Sequence, residues 1–172
     1  MDLNSRIYLV GFMGSGKTTA GKKLSSLLGW EFVDLDGAIE AKTGKKIPEI
    51  FATRGEAFFR KTETGILRNL DQNNIVVSTG GGAPCHDSNM DYMLSTGLTV
   101  YLKLTPAQLM NRLEFSKTER PLISGIDKDD LQGYIEQTLQ GREKYYNRAL
   151  VIIEDSEPDI NLLLQKIRFA RQ

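Results

Sequence analysis

The sequence contains few of the residues from which several classes of protein are built. Its 172 residues include one cysteine, Cys85, and one histidine, His86. A single cysteine excludes an internal disulfide and a cysteine-built zinc site, and it fits a reducing compartment. No apolar run approaches the ~18 residues of a membrane span, and the first residues, MDLNSR, do not resemble a secretory signal. We therefore expect a cytoplasmic protein that does not bind a membrane.

An excess of charge of either sign is also absent. The 22 basic and 22 acidic side chains cancel, whereas a general nucleic-acid binder carries a basic excess. The remaining composition, 40% hydrophobic and 26% charged, is typical of a soluble globular protein. We expect one domain over residues 1–172, with no nucleic acid as partner.

Short apolar runs alternate with helical patterns along the chain. Strands that alternate with helices pair in parallel through right-handed crossovers, and runs such as IVV and LTVYL fit a sheet covered on both faces. The sequence therefore predicts an α/β fold, a three-layer sandwich around a central five-stranded parallel sheet. The region 47–70 contains Gly55 and Gly65, so it is read as one helix or two. The candidate strands are 6–10, 31–33, 75–78, 98–104 and 150–153, and the helical patterns cover 18–28, 37–43, 47–70, 128–146, 160–169 and a helix that begins at Pro106 after the cap Thr105.

A phosphate-binding motif lies between the first strand and the first helix. The segment GFMGSGKT, residues 11–18, matches G-x-x-x-x-G-K-[ST] at every fixed position. Its glycines let backbone N–H groups turn toward a phosphate, and the helix N-terminus adds its positive dipole end. Lys17 would reach the β- and γ-phosphates, and the Thr18 hydroxyl would ligate Mg²⁺. The motif leaves open a kinase, a GTPase, a motor ATPase and a nucleotide-binding regulator.

Residues outside the phosphate-binding motif argue against two of these classes, the GTPase and the motor ATPase. No N-K-x-D segment is present to read guanine, and the third strand ends in Ser78-Thr79-Gly80 without the acid of a motor ATPase. The best source of a carboxylate is Asp34-Leu35-Asp36 after the second strand. Strand alternation predicts that Asp34 and Asp36 point to one side, where one acid holds a metal-bound water and the other meets an acceptor hydroxyl. The alternative is an ordinary acidic helix start.

Four arginines fall near the loops at the strand ends, where an α/β fold binds ligands: Arg60, Arg112, Arg120 and Arg142. Arg60 has Glu56 and Glu63 at helical spacing, so it forms helical ion pairs, or Glu63 orients it toward a substrate carboxylate. Arg142 lies among charged neighbours, which alone indicates a solvated helix face.

Two loops add further candidates. Arg120 lies in a polar loop, 116–127, which is a plain surface loop or a lid over a nucleotide site. Gly80, Gly81 and Gly82 end the third strand, either because a ligand approaches the backbone closely or because the chain turns tightly. Cys85 and His86 have no partners at metal or nucleophile spacing, so we assign both to structure.

Taken together, these segments resemble the shikimate kinase family, small members of the nucleoside monophosphate kinase-like P-loop fold. The resemblance covers nearly the whole chain, and it depends on the order and spacing of the pieces more than on any one of them after the phosphate loop. The segments that carry it are GFMGSGKTTAGKKLSSLLG, FVDLDGAIE, GKKIPEIFATRGEAFFRKTE, STGGGA, RPLI and REKYYNRA.

The resemblance implies a role for each matched residue. Lys17, Asp36 and Arg120 would be catalytic, with Asp36 as the base at the shikimate hydroxyls and Arg120 brought to the phosphates by a lid. Thr18 would ligate Mg²⁺ and Asp34 would lie in its water shell. Arg60 and Arg142 would bind the shikimate carboxylate, and Gly81, flanked by Gly80 and Gly82, would offer its N–H to the substrate. The implied ATP-binding residues are Gly14, Ser15, Gly16, Lys17, Thr18, Thr19 and Arg120, with Arg112 and the segment at Ser156 on either side of the adenine.

The implied reaction converts ATP and shikimate to ADP and shikimate 3-phosphate, with Mg²⁺ as cofactor, in a monomeric protein. The residues agree with this chemistry, because a kinase of a small carboxylated polyol needs a phosphate cradle, a metal, a carboxylate at the acceptor hydroxyl and arginines for the acid group. Two alternatives stay open at this point: a gluconate-type small-molecule kinase, and a nucleotide-binding regulator without transfer chemistry.

Overall fold

The computed structural model describes residues 6–115, 126–155 and 159–170. Within them, strands and helices alternate as the apolar periodicity predicts. No described helix combines the length and the apolar character that crossing a membrane requires. In chain order the elements are β1 (Arg6–Val10), α1 (Lys17–Leu28), β2 (Glu31–Asp34), α2 (Leu35–Thr43), α3 (Ile47–Arg68), β3 (Ile75–Ser78), a 3₁₀ turn (Ala83–Cys85), α4 (Asn89–Thr96), β4 (Leu98–Leu102), α5 (Pro106–Glu114), α6 (Lys128–Tyr146), β5 (Val151–Ile153) and α7 (Ile160–Phe169).

The five strands form one parallel sheet in the order β2-β3-β1-β4-β5. The predicted fold class is therefore confirmed. Every residue of β1, β3 and β4 is buried, which explains why these strands read as continuous apolar runs rather than alternating ones.

Helices cover both faces of the sheet, so the fold has three layers. Ile7 and Leu9 pack on one face with side chains from α1 and α7, such as Leu24 and Leu163. The opposite face packs against α3, α4, α5 and α6. A smaller apolar cluster joins α2 to α3 through Ile39, Ile50 and Phe59. This cluster holds the two helices that follow β2 together as a unit.

The long helix α3 is interrupted at Gly55. Its φ of 78° lies in the left-handed region, so the helical path breaks there and resumes in a new direction. The region read as one helix or two is thus two helical segments joined at a kink. The segment after the kink carries Arg60 and Glu63 toward the sheet.

The structure differs from the sequence prediction at some element boundaries and in one helix. The strand predicted over 98–104 ends at Leu102, and α2 begins at Leu35 rather than Gly37. Helix α4, which follows the glycine triplet, is absent from the sequence prediction: it spans only eight residues, although Met90, Met93 and Leu94 have helical spacing. The first ten residues of the predicted lid, 116–125, lie outside the described residues. Ile126 packs against the core, and Asp127 is the N-cap of α6.

Candidate active site

Three neighbouring strands deliver the candidate residues to one edge of the sheet. The phosphate loop follows β1, Asp34 ends β2 and Ser78 ends β3. Because β3 lies between β1 and β2, and Asp34 is in register with Ser78, these groups converge at the carboxyl edge. Ligands of open parallel sheets bind at this edge.

The phosphate loop has the backbone that its glycines predict. Gly11, Gly14 and Gly16 all have φ between 80° and 142°, a range that other residues rarely adopt. The loop wraps the buried Lys17 side chain, whose Nζ donates to the carbonyl oxygens of Gly11 and Phe12, each at 2.8 Å. Helix α1 begins at Lys17 without a side-chain cap, which leaves its first N–H groups to a phosphate.

A cluster of three oxygen-bearing side chains lies beside the loop. Thr18 Oγ1 donates to Asp34 Oδ2 at 2.8 Å, and Ser78 Oγ lies 3.3 Å from the same hydroxyl. Such hard oxygen ligands suit Mg²⁺, which takes one or two protein ligands and completes its shell with waters and substrate phosphates. The described residues contain no cluster of three or more His, Cys, Asp or Glu side chains, as a metal held by protein alone would need.

The predicted arrangement of the two aspartates is wrong. Asp34 and Asp36 do not alternate along an extended segment, because α2 begins at Leu35 and places Asp36 in its first helical turn. Asp34 is instead the N-cap of α2, with Oδ1 accepting from Gly37 N at 3.2 Å. The alternative reading, an acidic helix start, therefore holds for Asp34 alongside its contact with Thr18.

Asp36 nevertheless reaches the glycine triplet. Its Oδ1 lies 3.1 Å from the point where a Cβ on Gly80 would be, and Glu63 Oε1 lies 2.5 Å from that point. The two carboxylates thus flank Gly80, and any side chain there would collide with Glu63. Glu63 is fully buried, and its Oε1 has no hydrogen-bond partner in the described part of the chain.

Arg60 makes the helical ion pairs that its spacing predicts. Its Nη1 donates to Glu63 Oε2 at 2.8 Å, and its Nε and Nη2 each donate to Glu56 Oε1 at 3.2 Å. Burial disfavours the charged guanidinium, but Glu63 and Glu56 outweigh it and raise the pKa of Arg60. For Glu63, loss of water outweighs the attraction of Arg60, and burial raises its pKa to about 7, with the charge of Asp36 adding to the effect.

Arg142 is turned into the site rather than out to solvent. Its Nη1 is buried and has no hydrogen-bond partner among the residues the structure describes. The guanidinium lies 5.6 Å from the centre of the Phe12 ring, and Nη1 lies 3.4 Å from a Cβ position on Gly81. Tyr146, one turn further along α6, donates a hydrogen bond from its hydroxyl to the Gly81 carbonyl. The prediction that Arg142 lies on a solvated helix face is therefore wrong. Its charged sequence neighbours gave no indication that the guanidinium packs on Phe12.

Glycine is needed at positions 80–82 because a side chain has no room there, not because the backbone conformation requires glycine. The chain does turn here, since Ala83 N donates to Gly80 O at 3.1 Å, but none of the three glycines has a positive φ. A Cβ on Gly82 would lie 2.6 Å from Arg60 Nη2, and one on Gly81 would lie 3.2 Å from the backbone nitrogen of Met13. The triplet lets the arginines, the carboxylates and the phosphate loop approach one strand exit.

The remaining residues singled out in the sequence have different outcomes. Arg112 Nη1 donates to the Gly14 carbonyl at 3.2 Å, so its guanidinium lies against the phosphate loop. Arg120 and Ser156 lie outside the described residues. Burial raises the pKa of Cys85 to about 11, which keeps its thiol protonated and agrees with the structural role assigned to it.

Sequence reasoning missed Ser78 and underused Glu63. Ser78 ends β3 in register with Asp34 on the neighbouring strand, and a hydroxyl at that place is a signal in itself. The burial of Glu63 depends on how α3 packs over Gly80, which helical spacing does not reveal.

A phosphate loop with carboxylates and two arginines beside it, all at the carboxyl edge of a parallel sheet, defines the class of P-loop kinases that phosphorylate small molecules.

Comparisons with known proteins specify the family. The sequence profile of shikimate kinase matches residues 13–169. A shikimate kinase of Parabacteroides distasonis is 41% identical, with 94% of this chain and 98% of that protein covered. The chain therefore belongs to the shikimate kinase family.

Solved structures agree with this assignment. The crystal structure of shikimate kinase from Bacteroides thetaiotaomicron matches with a TM-score of 0.87 at 40% identity, over 96% of this chain and 95% of that one. Shikimate kinase from Acinetobacter baumannii, in complex with shikimate, gives 0.86 at 37% identity, over 97% and 92%. A gluconokinase from Sinorhizobium meliloti reaches only 0.56 at 14% identity, over 99% and 92%, and shares the fold alone.

Proposed function

We propose that this protein transfers the γ-phosphoryl group of ATP to the 3-hydroxyl of shikimate, which yields ADP and shikimate 3-phosphate. The observation that carries the proposal is the pair Arg60 and Arg142 at the glycine triplet, beside the phosphate loop and next to Asp36. A shikimate complex of a relative 37% identical to this chain supports the choice of acceptor.

The carboxylate of the acceptor meets the two arginines. Arg142 Nη1 is a buried donor without a protein partner in the described residues, and such a group is costly unless a ligand satisfies it. Arg60 is held by Glu63 and Glu56, so its guanidinium is oriented before the substrate arrives. A planar guanidinium pairs bidentately with a carboxylate, which explains the use of arginine rather than lysine.

The acceptor hydroxyl lies near Asp36. A carboxylate there accepts a hydrogen bond from the hydroxyl and takes its proton as the new bond to phosphorus forms. Phosphoryl transfer has a largely dissociative transition state, so Asp36 contributes more by orienting the hydroxyl than by removing its proton early. Asp34 and Asp36 together repel a phosphorylated acceptor, which favours an uncharged polyol end over a nucleotide.

The phosphate loop holds ATP through Gly14, Ser15, Gly16 and Thr19, and Lys17 neutralises charge on the transferring group. Thr18, Asp34 and Ser78 would hold Mg²⁺, directly or through water, and the ion supplies positive charge at the β- and γ-phosphates. The Gly81 N–H contacts the substrate, with Gly80 and Gly82 on either side.

The outer parts of the nucleotide site complete the proposal. Arg112, already against the Gly14 carbonyl, would extend over the nucleotide, with the segment at Ser156 on the other side of the adenine. Residues 116–127 would close as a lid that brings Arg120 to the phosphates and excludes water. Amide exchange that slows across this segment when ADP and shikimate are both bound would support the lid, and a fully active Arg120→Ala variant would oppose it. A monomer in the cytoplasm is part of the same proposal.

The identity of the product tests the proposal. Phosphorus NMR of the reaction mixture should show a new phosphate monoester whose phosphorus couples to the proton on C3 of the ring. Boiled protein with the same ATP and shikimate is the control. A monoester on another hydroxyl, or ADP without any ester, would contradict the assigned geometry.

A further inference from the structure

A groove with a basic lining lies between α2 and α3, and none of its lining residues belongs to the site described above. Its volume is about 540 Å³, within the range of small-molecule sites. Ile50 and Gly65 contribute apolar and backbone surface to it. The rest of the described lining includes two threonines, one aromatic ring and four cationic side chains, and it includes no acid.

The cations of the groove are largely uncompensated. Lys45 pairs with Glu49 at 2.7 Å, but the residues the structure describes offer no acidic partner to Lys42, Arg54 or Lys61. Four positive side chains in one groove create a positive local potential on a chain with no net charge, and this potential attracts anions. Their long stems also leave the ammonium groups able to close on a ligand.

An aromatic platform lies next to these charges. Phe58 is 36% exposed, and the Arg54 guanidinium lies 5.0 Å from its ring centre. The guanidinium lies over one face of this ring, so the exposed remainder of the ring forms an apolar wall next to a cation. The groove therefore presents one apolar surface and several cations to the same space.

We propose that this groove binds a small ring compound that carries a phosphate group. The ring would lie against the exposed part of Phe58 that Arg54 leaves open, and the phosphate would contact Lys42, Arg54 and Lys61. Phosphate fits better than a neutral group, because it forms charge-assisted hydrogen bonds with cations that have no acidic partner in the groove, whereas a neutral group only replaces their water. The volume accommodates one such molecule.

The groove is also placed to affect the catalytic edge. Helix α2 carries Asp36 in its first turn and Lys42 in its last turn, and Lys61 lies between Arg60 and Glu63 on α3. A ligand that bridges α2 and α3 restrains the two helices that position the acceptor site. We therefore expect binding in the groove to change the affinity for shikimate, and linkage requires the reverse effect to have the same factor. This second part depends on the proposed function.

Phenyl phosphate is a suitable probe, followed by amide NMR of the ¹⁵N-labelled protein. Titration should shift the amides of Thr43, Thr62 and Gly65 in a saturable manner. Lys61→Gln should weaken this binding about two- to fivefold, the upper part of the range for one exposed ion pair. Lys23→Gln, which removes an exposed lysine from α1, is the matched control and should leave the dissociation constant unchanged.

Two results would overturn the binding site. Shifts confined to the phosphate loop at Ser15 and Gly16 would assign the probe to the nucleotide site. Equal weakening by Lys61→Gln and Lys23→Gln would show general charge attraction only. For the second part, the titration is repeated with saturating shikimate, and the dissociation constant should change at least twofold; an unchanged value would refute the coupling. The first titration contains no shikimate, so its outcome is independent of the proposed function.

Discussion

Gly82→Ala perturbs the acceptor site through one added methyl group. Gly82 has φ −87° and ψ −18°, a conformation that alanine adopts without strain, so the backbone has no reason to move. The new Cβ would lie 2.6 Å from Arg60 Nη2 and 2.7 Å from Nη1. Ordinary carbon contacts begin near ~3.5 Å, so the guanidinium must retreat by roughly 1 Å. Because it is the end of a flexible side chain, the protein should still fold.

Displacement of the Arg60 guanidinium should weaken shikimate binding by an amount that can be calculated. Arg60 would leave the place where Glu63 holds it, and one charge-assisted hydrogen bond to the substrate carboxylate would be lost. Such a bond contributes about 1.5–3 kcal/mol, which corresponds to roughly a ten- to hundredfold rise in the shikimate KM. The ATP KM should stay near wild type, because the clash is with Arg60 and not with the phosphate loop.

Initial rates of ADP release at varied shikimate and fixed ATP measure this effect. Gly133→Ala is the matched control, since a Cβ on Gly133 meets nothing within 4 Å in the middle of α6. It should leave both KM values unchanged. A Gly82→Ala protein with native circular dichroism and a shikimate KM within about twofold of wild type would refute the placement of Arg60 at the substrate.

Four further substitutions test other parts of the site. Lys17→Met should abolish transfer while circular dichroism stays native, because the lysine offsets charge that develops in the transition state, an effect often worth several kcal/mol. Asp36→Asn should lower kcat by about 10²-fold in steady-state assays, the lower end of the range for a positioned base, with little change in ATP affinity. Arg142→Lys should raise the shikimate KM far more than the ATP KM, because lysine keeps the charge but loses the fork. Glu63→Gln should flatten the pH dependence of the free energy of unfolding, which urea titrations at pH 5 and pH 7.5 measure.

The direction in which pH changes the free energy of unfolding follows from the raised pKa of Glu63. The folded protein holds the Glu63 proton more tightly than the unfolded chain between the ordinary value of 4.5 and about 7. Stability from this group is therefore complete below 4.5 and is lost as the pH rises through 7. Relative to Glu63→Gln, the wild type should lose on the order of 2–3 kcal/mol across this window. A constant difference at all pH values would mean that Glu63 is ionised throughout.

Each of the other three substitutions has its own contradicting result. Turnover by Lys17→Met within about threefold of wild type would remove the lysine from the transferring phosphoryl group. Wild-type kcat in Asp36→Asn would leave Asp34 as the carboxylate of the mechanism. Equal effects of Arg142→Lys on both KM values would indicate a nucleotide role or a folding defect.

Local sequence patterns were sufficient to predict the fold class and the phosphate loop. The strands of a buried parallel sheet read as apolar runs, and the glycines at 11, 14 and 16 are needed because their φ values exclude other residues. Strand alternation did not predict the arrangement of Asp34 and Asp36. The helix begins directly after its N-cap Asp34, so the chain is no longer extended when it reaches Asp36. The helix-cap and metal-site interpretations of Asp34 are compatible, because its Oδ1 accepts from Gly37 N while its Oδ2 accepts from the Thr18 hydroxyl.

Contacts between distant segments account for what sequence reasoning missed. Arg142 lies among charged residues in the sequence, yet its guanidinium packs over Phe12, 130 positions earlier. Ser78 acquires significance only when the strand order places β3 between β1 and β2. Glu63 is at ordinary ion-pair spacing from Arg60, but its complete burial follows from the way α3 crosses Gly80. None of these facts is encoded in spacing along one helix or strand.

The rate of ADP formation with different acceptors tests the central claim most directly. In a coupled assay with saturating ATP and Mg²⁺, shikimate should stimulate ADP release strongly over the rate without acceptor. Gluconate, which carries a carboxylate and hydroxyls on an open chain, should give no more than the background rate. Binding of ATP with no stimulation by shikimate, or stimulation by gluconate alone, would contradict the account.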